Sequence, residues 1–357
     1  MATRQATSER TARREADPRP YAPSWIYAVD AALRRLPVPR WVTIGSIGLL
    51  VGIQSHLQAI ENGTVAANGL NVPSIYWTYI TIALLFAVGF FRRSAESAFD
   101  AFRPALTVGS DEADRMRYEL SVVPAAGSWL VTAATFALTA ATFVFVPRDA
   151  GIVGVSPVNV AAAFAIQVGL VSMMFCLGYQ LIRQVRIVSR ALASATADPF
   201  QAGPLHALAR LMARTGTALV LIVAPSVLFV PFVGDLPSFI LNYAPFTILP
   251  SVVVVIAFIV PLLGTHARLD AEKDRLVAEG DDRLKRLLAE IHRDVDATDL
   301  SRADGLNKSL SSLLQEREVL AKLPTWPWST TTLRTFATAM LLPIALFLIQ
   351  RVLAQFV

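Results

Sequence analysis

The chain has 357 residues, of which 54% are hydrophobic and 17% charged, and its mean hydropathy is +0.50. Soluble domains carry about 25% charged residues, so these values indicate folding in lipid and exclude disorder for most of the chain. The single cysteine excludes a disulfide framework and any zinc or iron–sulfur site built from cysteines. The net charge of +5 would suggest nucleic acid as the partner of a soluble protein, but here a membrane surface comes first.

The N-terminal part of the chain is polar and contains no apolar segment typical of a secretory signal peptide. Residues 1–23 are rich in Arg, Pro and acidic residues and are predicted to form a disordered cytoplasmic tail. Within residues 24–40, apolar side chains recur at helical spacing, and Asp30, Arg34 and Arg35 fall elsewhere on the helix. This segment is predicted to be an amphipathic helix that either lies in the inner membrane interface or packs on another cytoplasmic loop.

Seven stretches of the chain are almost free of charge, and each has close to the roughly 20 apolar residues that cross a hydrocarbon core. They are Trp41–Ile60, Ile75–Phe91, Gly127–Val146, Val158–Ile182, Gly216–Val233, Phe246–Gly264 and Thr335–Leu353. Residues 41–264 are thus predicted to form a six-helix transmembrane region, and residues 330–357 to hold the seventh span. The predicted fold class is all-α, a polytopic membrane protein with seven transmembrane helices.

The positions of Lys and Arg predict the orientation of these spans. Alternate connecting segments hold 30 of the basic residues on one side of the membrane and 2 on the other. The positive-inside rule then predicts a cytoplasmic N-terminus, an external C-terminus and a multi-pass protein of the cell membrane. The same distribution accounts for the basic net charge without a nucleic-acid partner.

Residues 265–329 are the largest predicted soluble segment, a cytoplasmic helical hairpin between spans six and seven. Its first half carries an apolar stripe formed by Val277, Leu284, Leu288, Ile291 and Val295. A second stripe is formed by Leu306, Leu310, Leu313, Leu320 and Leu323. This coiled-coil-like spacing predicts two antiparallel helices. They are expected either to pair only with each other or to make the contact of a homo-oligomer, and residues 268–322 are the predicted site for a cytoplasmic protein partner.

A Pro/Trp elbow at residues 323–330 joins the hairpin to the last span. Two prolines stop the returning helix, and Trp326 and Trp328 are predicted to anchor the chain among the lipid headgroups. The elbow is expected to act either as a simple structural anchor or as a mechanical connection between the soluble hairpin and the membrane helices.

Polar side chains within the spans are the candidate sites for ions, ligands or helix packing. A hydroxyl face in the third span consists of Ser128, Thr132, Thr135, Thr139 and Thr142. It is predicted either to line a path for small solutes or to pack against another helix, as Gly48 and Gly52 are expected to do in the first span. The candidate buried polar residues are Gln54, His56, Gln167 and Gln180, which are costly in lipid and should face protein or water.

The sequence contains no recognisable catalytic motif, metal-ligand spacing or phosphate-binding loop. The chain is therefore predicted to be neither an enzyme nor a cofactor-binding protein. Three further histidines, His206, His266 and His292, are isolated from one another in predicted cytoplasmic segments.

The order of elements resembles that of the insect chemoreceptors, a family of ligand-gated ion channels with seven spans and a cytoplasmic helical anchor before a pore-lining last span. Here Arg268–Leu323 occupies the anchor position and Thr335–Leu353 that of the last span. The family's terminal signature, Thr-Tyr followed by five apolar residues and Gln-Phe, is not matched, because 18 residues separate Thr335-Phe336 from Gln355-Phe356. The resemblance implies a homo-oligomeric ion channel, and the alternative prediction is a non-conducting membrane scaffold or sensor whose hairpin binds a partner.

Overall fold

A computed structural model describes residues 19–66, 68–145, 156–195, 202–226, 244–298, 301–323, 325–326, 328 and 330–353. The helices are α1 Trp25–Arg35, α2 Arg40–Glu61, α3 Val72–Phe102, α4 Ser110–Ser121, α5 Ala125–Phe145, α6 Pro157–Ala193, α7 Ala202–Val223, α8 Ala244–Asp296, α9 Ala303–Ala321 and α10 Thr330–Leu353. These residues contain no β-strand, so the all-α class is confirmed for the described part of the chain.

Five helices, α2, α3, α5, α6 and α7, are long and apolar enough to cross a membrane, which identifies an integral membrane protein. The sixth and seventh predicted spans coincide with the first part of α8 and with α10. The fifth differs from its prediction, because α7 begins at Ala202 rather than at Gly216. Residues 227–233 of that predicted span lie outside the described residues.

Helix α7 is the centre of the bundle. It contacts α3, α6, α8 and α10. Of its most apolar segment 72% is buried inside the protein, compared with 17% for α2 and for α5. Gly216 allows the close approach of two of these neighbours, because a methyl group there would lie 2.8 Å from Val254 Cγ1 and 3.3 Å from Phe336 Cε2. The outer faces of α2 and α5 are therefore the ones left for lipid.

Helices α2 and α3 pack as antiparallel neighbours through the predicted small-residue motif. A methyl group on Gly48 would lie 2.5 Å from Ile82 Cγ1, and one on Gly52 would overlap the Thr78 hydroxyl. The motif therefore makes its close helix contact within one copy of the chain rather than needing a second copy.

Hydrogen bonds hold the chain at Tyr21, within residues 1–23 that are predicted to form a disordered tail. Residues 1–18 lie outside the described residues, but the Tyr21 hydroxyl donates to the Val122 carbonyl at 2.8 Å. The Tyr118 hydroxyl donates to the Tyr21 carbonyl at 2.8 Å, and Arg183 donates to the Tyr21 hydroxyl at 2.9 Å. These partners come from α4 and α6, far along the sequence, so local composition does not reveal them.

Helix α1 packs on the turn between α4 and α5, which is one of the two arrangements expected for residues 24–40. The Ser24 hydroxyl accepts a hydrogen bond from the Ile26 amide at the start of the helix. Ile26 and Tyr27 are buried, and the Tyr27 hydroxyl donates to the Ser121 carbonyl at 3.1 Å. The N-terminal helix is thus part of the core of the bundle.

Tyr27 predicts how stability changes at alkaline pH. Burial raises the pKa of its phenol above the ordinary value of 10.0. The folded protein therefore keeps a proton that the unfolded chain loses, and the free energy of unfolding should fall as pH rises above about 10. Tyr27→Phe is expected to make this fall shallower. Denaturant titrations in detergent micelles at pH values from neutral to about 11 would measure it, and equal slopes in the two proteins would contradict the prediction.

Candidate functional site

The hydroxyl face of α5 is largely occupied by contacts within the protein. Ser128, Thr135 and Thr139 are buried, and α5 packs against α6. The hydroxyls of Ser128, Thr132 and Thr142 donate to backbone carbonyls of the preceding helical turn. Thr132 also accepts a hydrogen bond of 3.0 Å from the indole of a tryptophan in α1. Within one copy of the chain, this geometry favours helix packing over a polar lining.

The four candidate buried polar residues lie on two helices. Gln54 and His56 are half-buried on α2, and Gln167 is half-buried on α6. Gln180 of α6 is buried, and its Oε1 accepts a hydrogen bond of 3.3 Å from the Tyr27 hydroxyl. Among the described residues no hydrogen bond joins the α2 pair to the α6 pair. The structure therefore does not assemble the four into one site.

Sequence analysis missed Gln184, which lies one turn beyond Gln180 on the same face of α6. Its side chain is fully buried, and neither amide atom has a hydrogen-bond partner among the described residues. The sequence does contain a signal for Gln184. Ser172, Cys176 and Gln180 are spaced four residues apart and are all buried, and Gln184 is the next residue at the same spacing. Gln184 falls after the predicted end of the fourth span, which is why it was not considered.

The two glutamines of α6 give a prediction of different size. Gln184→Met removes a buried amide that has no hydrogen-bond partner among the described residues, so it should raise the free energy of unfolding by about 1 kcal/mol. Gln180→Met should leave the same quantity nearly unchanged, because it removes both an unpartnered Nε2 and an acceptor at 3.3 Å, while the Tyr27 hydroxyl keeps its shorter hydrogen bond to the Ser121 carbonyl. Denaturant titration of both variants in one detergent tests the pair. A clear loss of stability in Gln184→Met would show that the amide has a partner, such as ordered water.

The elbow is an aromatic stack at the junction of α7, α8 and α10. The rings of His266 and Trp326 stack with centroids 3.9 Å apart, and Trp326 stacks on Trp328 at 4.5 Å. Nδ1 of His266 lies 3.1 Å from the carbonyl oxygen of Thr325. The imidazole of His206 on α7 lies close to the backbone of Trp326, and its Nε2 has no hydrogen-bond partner among the described residues. Two histidines expected to be isolated therefore meet at one tryptophan, which corrects that expectation.

The elbow end of α9 is fixed to α8 by Lys273. Its ammonium group donates to the carbonyls of Ala321 at 2.8 Å and Leu323 at 3.1 Å. A cation at the C-terminus of a helix satisfies carbonyls that have no partner within the helix and complements the helix dipole. Arg268, one turn earlier on α8, donates to the carbonyls of two residues at the end of α6. Helix α8 thus binds the end of α9 and the end of α6 through two side chains that lie five residues apart, Lys273 and Arg268.

The rest of the α8–α9 pair is held by ion pairs at its surface. Arg283 pairs with Glu316 at 3.2 Å and Asp281 with Arg317 at 3.4 Å, so the two helices run antiparallel. Exposed pairs of this kind contribute about 0.2–1 kcal/mol each, which is enough to set register but little stability. Of α9 only Leu320 is buried. The apolar stripes of the two helices are therefore only partly covered by one another.

The end of the α8–α9 pair farthest from the elbow is closed by Arg302. It donates to Glu290 at 2.6 Å and to both carboxylate oxygens of Asp294 at 2.8 Å. These carboxylates raise the pKa of the Arg302 guanidinium. The pair is thus fixed at both ends, by Lys273 at the elbow and by Arg302 at the tip.

No protein-family model, curated protein or solved structure matches the chain. The likeness to insect chemoreceptors therefore stays a prediction. The elbow is the place where the α8–α9 pair meets α7 and α10.

Proposed function

We propose that the protein is a non-enzymatic, multi-pass sensor or scaffold of the cell membrane that relays events at its α8–α9 pair to its membrane helices. In this proposal the chain crosses the membrane seven times, with the N-terminus and the α8–α9 hairpin in the cytoplasm and the C-terminus outside. The distribution of 30 basic residues to one side and 2 to the other supports this orientation.

Reporter cysteines would test the orientation. The native Cys176 is buried, so Cys176→Ala gives a background without competing thiols. Single cysteines at exposed Arg115 and Lys285 should react with a membrane-impermeant maleimide only after the cells are opened. A cysteine at exposed Leu70, between the first two spans, should react in intact cells. The reverse pattern would contradict the proposed topology.

The observation that carries the proposal is the contact of Trp326 with both histidines. His266 belongs to α8, His206 to α7, and the elbow leads directly into α10. Because α7 is the central helix of the bundle, a displacement of the α8–α9 pair would be transmitted to it and to α10 through one side chain and its backbone. Coupling between the α8–α9 pair and the helices α7 and α10 is established only by a response measured in both.

Hydrogen–deuterium exchange on the full-length protein in detergent micelles would provide that measurement. Trp326→Ala should increase exchange around His266 of α8 and at the start of α10, which lose the stack, and at the start of α7, because the elbow backbone beside His206 is no longer held in place. Trp41→Ala is the matched control, since Trp41 is 70% exposed and should change exchange only in its own turn. A response of Trp326→Ala confined to the elbow would refute the relay.

We propose that a second copy of the chain is the contact partner of the α8–α9 pair. Leu288 and Leu314 are exposed apolar side chains on its two helices. A photo-crosslinking residue at Leu314 should give a product of twice the 38.7 kDa monomer mass. Lys308, which is exposed on the same helix, is the control site. A product of another mass would indicate a different cytoplasmic protein, and no product above the control would refute the contact.

A homo-oligomeric ion channel is the second candidate, and the position of α10 favours it. Within the described residues α10 packs mainly against α7, with Phe336 buried, while Thr331, Thr335 and Thr338 are exposed. Symmetric assembly around an axis would bring these hydroxyls onto a common lining. Purified protein in planar bilayers should then conduct, with a conductance altered by Thr338→Val. The absence of current at every voltage and pH applied would contradict a channel.

A further inference from the structure

Guanidinium groups from α1 and α2 meet above Gly89 of α3. A methyl group on Gly89 would lie 2.9 Å from Arg40 Nη2 and 3.1 Å from Arg34 Nη2, so these side chains occupy the space that a larger residue would fill. The charges of Arg34 and Arg93 both act on the Arg40 guanidinium. The name arginine cluster is used below for Arg34, Arg40 and Arg93.

The positive charges of the arginine cluster outnumber the carboxylates that pair with them. Asp30 pairs with Arg34 at 2.9 Å and with Arg40 at 2.7 Å. The nearby Glu96 is paired with Arg92 at 2.9 Å. Among the described residues no carboxylate pairs with the exposed Arg93, and one carboxylate pairs with both Arg34 and Arg40. The buried Nε of Arg40 also has no hydrogen-bond partner in the described part of the chain.

The cluster lies at the depth where two apolar segments end. Arg40 is the first residue of α2 and directly precedes the exposed Trp41. Arg93 follows the charge-free stretch of α3 that ends at Phe91. In a membrane this is the level of the phosphate groups of the lipids. The assignment to the cytoplasmic leaflet depends on the topology proposed above, whereas the headgroup depth depends only on the ends of the two apolar segments.

We propose that the arginine cluster binds a phosphate group, supplied by the headgroup of an anionic phospholipid or by a free phosphate ion. Guanidinium groups bind phosphate oxygens through paired N–H donors, which lysine cannot do. Asp30 accepts from Arg34 Nε and Arg40 Nη2, and Arg40 Nη2 also donates to the Leu85 carbonyl, which leaves Nη1 and Nη2 of Arg34 and Nη1 of Arg40 to bind oxygen atoms. Gly89 is needed because only the absence of a side chain lets two guanidinium groups rest on α3.

Native mass spectrometry of the full-length protein in detergent micelles would test the site. The wild type should retain phosphatidylglycerol about tenfold more strongly than phosphatidylcholine. The double variant Arg34→Gln/Arg93→Gln should lose about tenfold in retention of phosphatidylglycerol. The control Arg115→Gln/Arg190→Gln removes the same charge from two exposed arginines that share Glu119, and it should bind like the wild type.

Two further arms distinguish the sources of phosphate and the role of folding. If inorganic phosphate displaces the lipid at millimolar concentration, the free ion is the ligand, and if it does not, the lipid headgroup is. Gly89→Ala keeps every charge but displaces both guanidinium groups, so it should weaken retention with little change in melting temperature. Equal retention in the double variant and its control would overturn the site. Because the reporter cysteines test topology separately, that result would leave the proposed function standing.

Discussion

Gly52→Ala is expected to lower the free energy of unfolding by about 3 kcal/mol, the upper end of the cost of overpacking a tight contact. The added methyl group would overlap the Thr78 hydroxyl and lie 3.1 Å from the Ser74 carbonyl oxygen. The hydroxyl itself donates to that carbonyl at 2.9 Å, so it has little freedom to rotate away. The variant must therefore separate α2 from α3.

Gly45→Ala is the matched control, because a methyl group there meets nothing within 4 Å. It lies on the same helix and exchanges the same residue types, so helix propensity should make it slightly stabilising. Thermal and denaturant unfolding in one detergent would compare the two variants. Equal stabilities would mean that α2 and α3 are not in the close contact described here.

Charge-free stretches locate the helices well but not their ends. The fifth predicted span begins at Gly216 because Arg210 and Arg214 interrupt the apolar pattern. Both arginines are exposed, whereas Leu208 and Leu211 between and beside them are buried, so the helix continues through the charges on its other face. A count of charges along the sequence cannot distinguish a loop from an amphipathic helical turn.

The elbow was predictable as an element but not as a contact site. Two prolines and two tryptophans within residues 324–328 indicated a turn near the membrane surface. The partner of Trp326, however, is His266, about 60 residues earlier in the chain, together with His206 on a third helix. Each histidine stands alone in its own segment, so only the packing of α7 against α8 brings one to the ring of Trp326 and the other to its backbone.

The burial of Asp30 is another feature that the sequence pattern does not predict. By helical spacing it lies off the apolar face of α1, together with Arg34. In the structure Asp30 is only 8% exposed and pairs with Arg34 and Arg40. The polar side of α1 packs on α2 and α3, and Arg40 at the start of α2 adds a second counter-charge to that of Arg34 on α1 itself.

Asp30→Asn is therefore expected to lower the free energy of unfolding by about 3 kcal/mol. Removing one member of a buried ion pair leaves an uncompensated charge in a poorly hydrated place, which costs more than the pair itself contributes. Arg40 would lose the partner at 2.7 Å and keep only the Leu85 carbonyl at 3.2 Å. Its side chain is 19% exposed, too little for water to replace the carboxylate fully.

Asp100→Asn is the control, because it removes the same charge from an ion pair that is exposed rather than buried. Asp100 is paired with Arg117 at 2.7 Å, a distance equal to that between Asp30 and Arg40, but 53% of its side chain is exposed. Water can solvate both groups after the substitution, so its cost should stay below about 1 kcal/mol. Denaturant titration of the two variants at neutral pH makes the comparison. Equal losses would mean that the charge pair at Asp30 is as well hydrated as the one at Asp100, and that α1 does not pack on α2 and α3 as described.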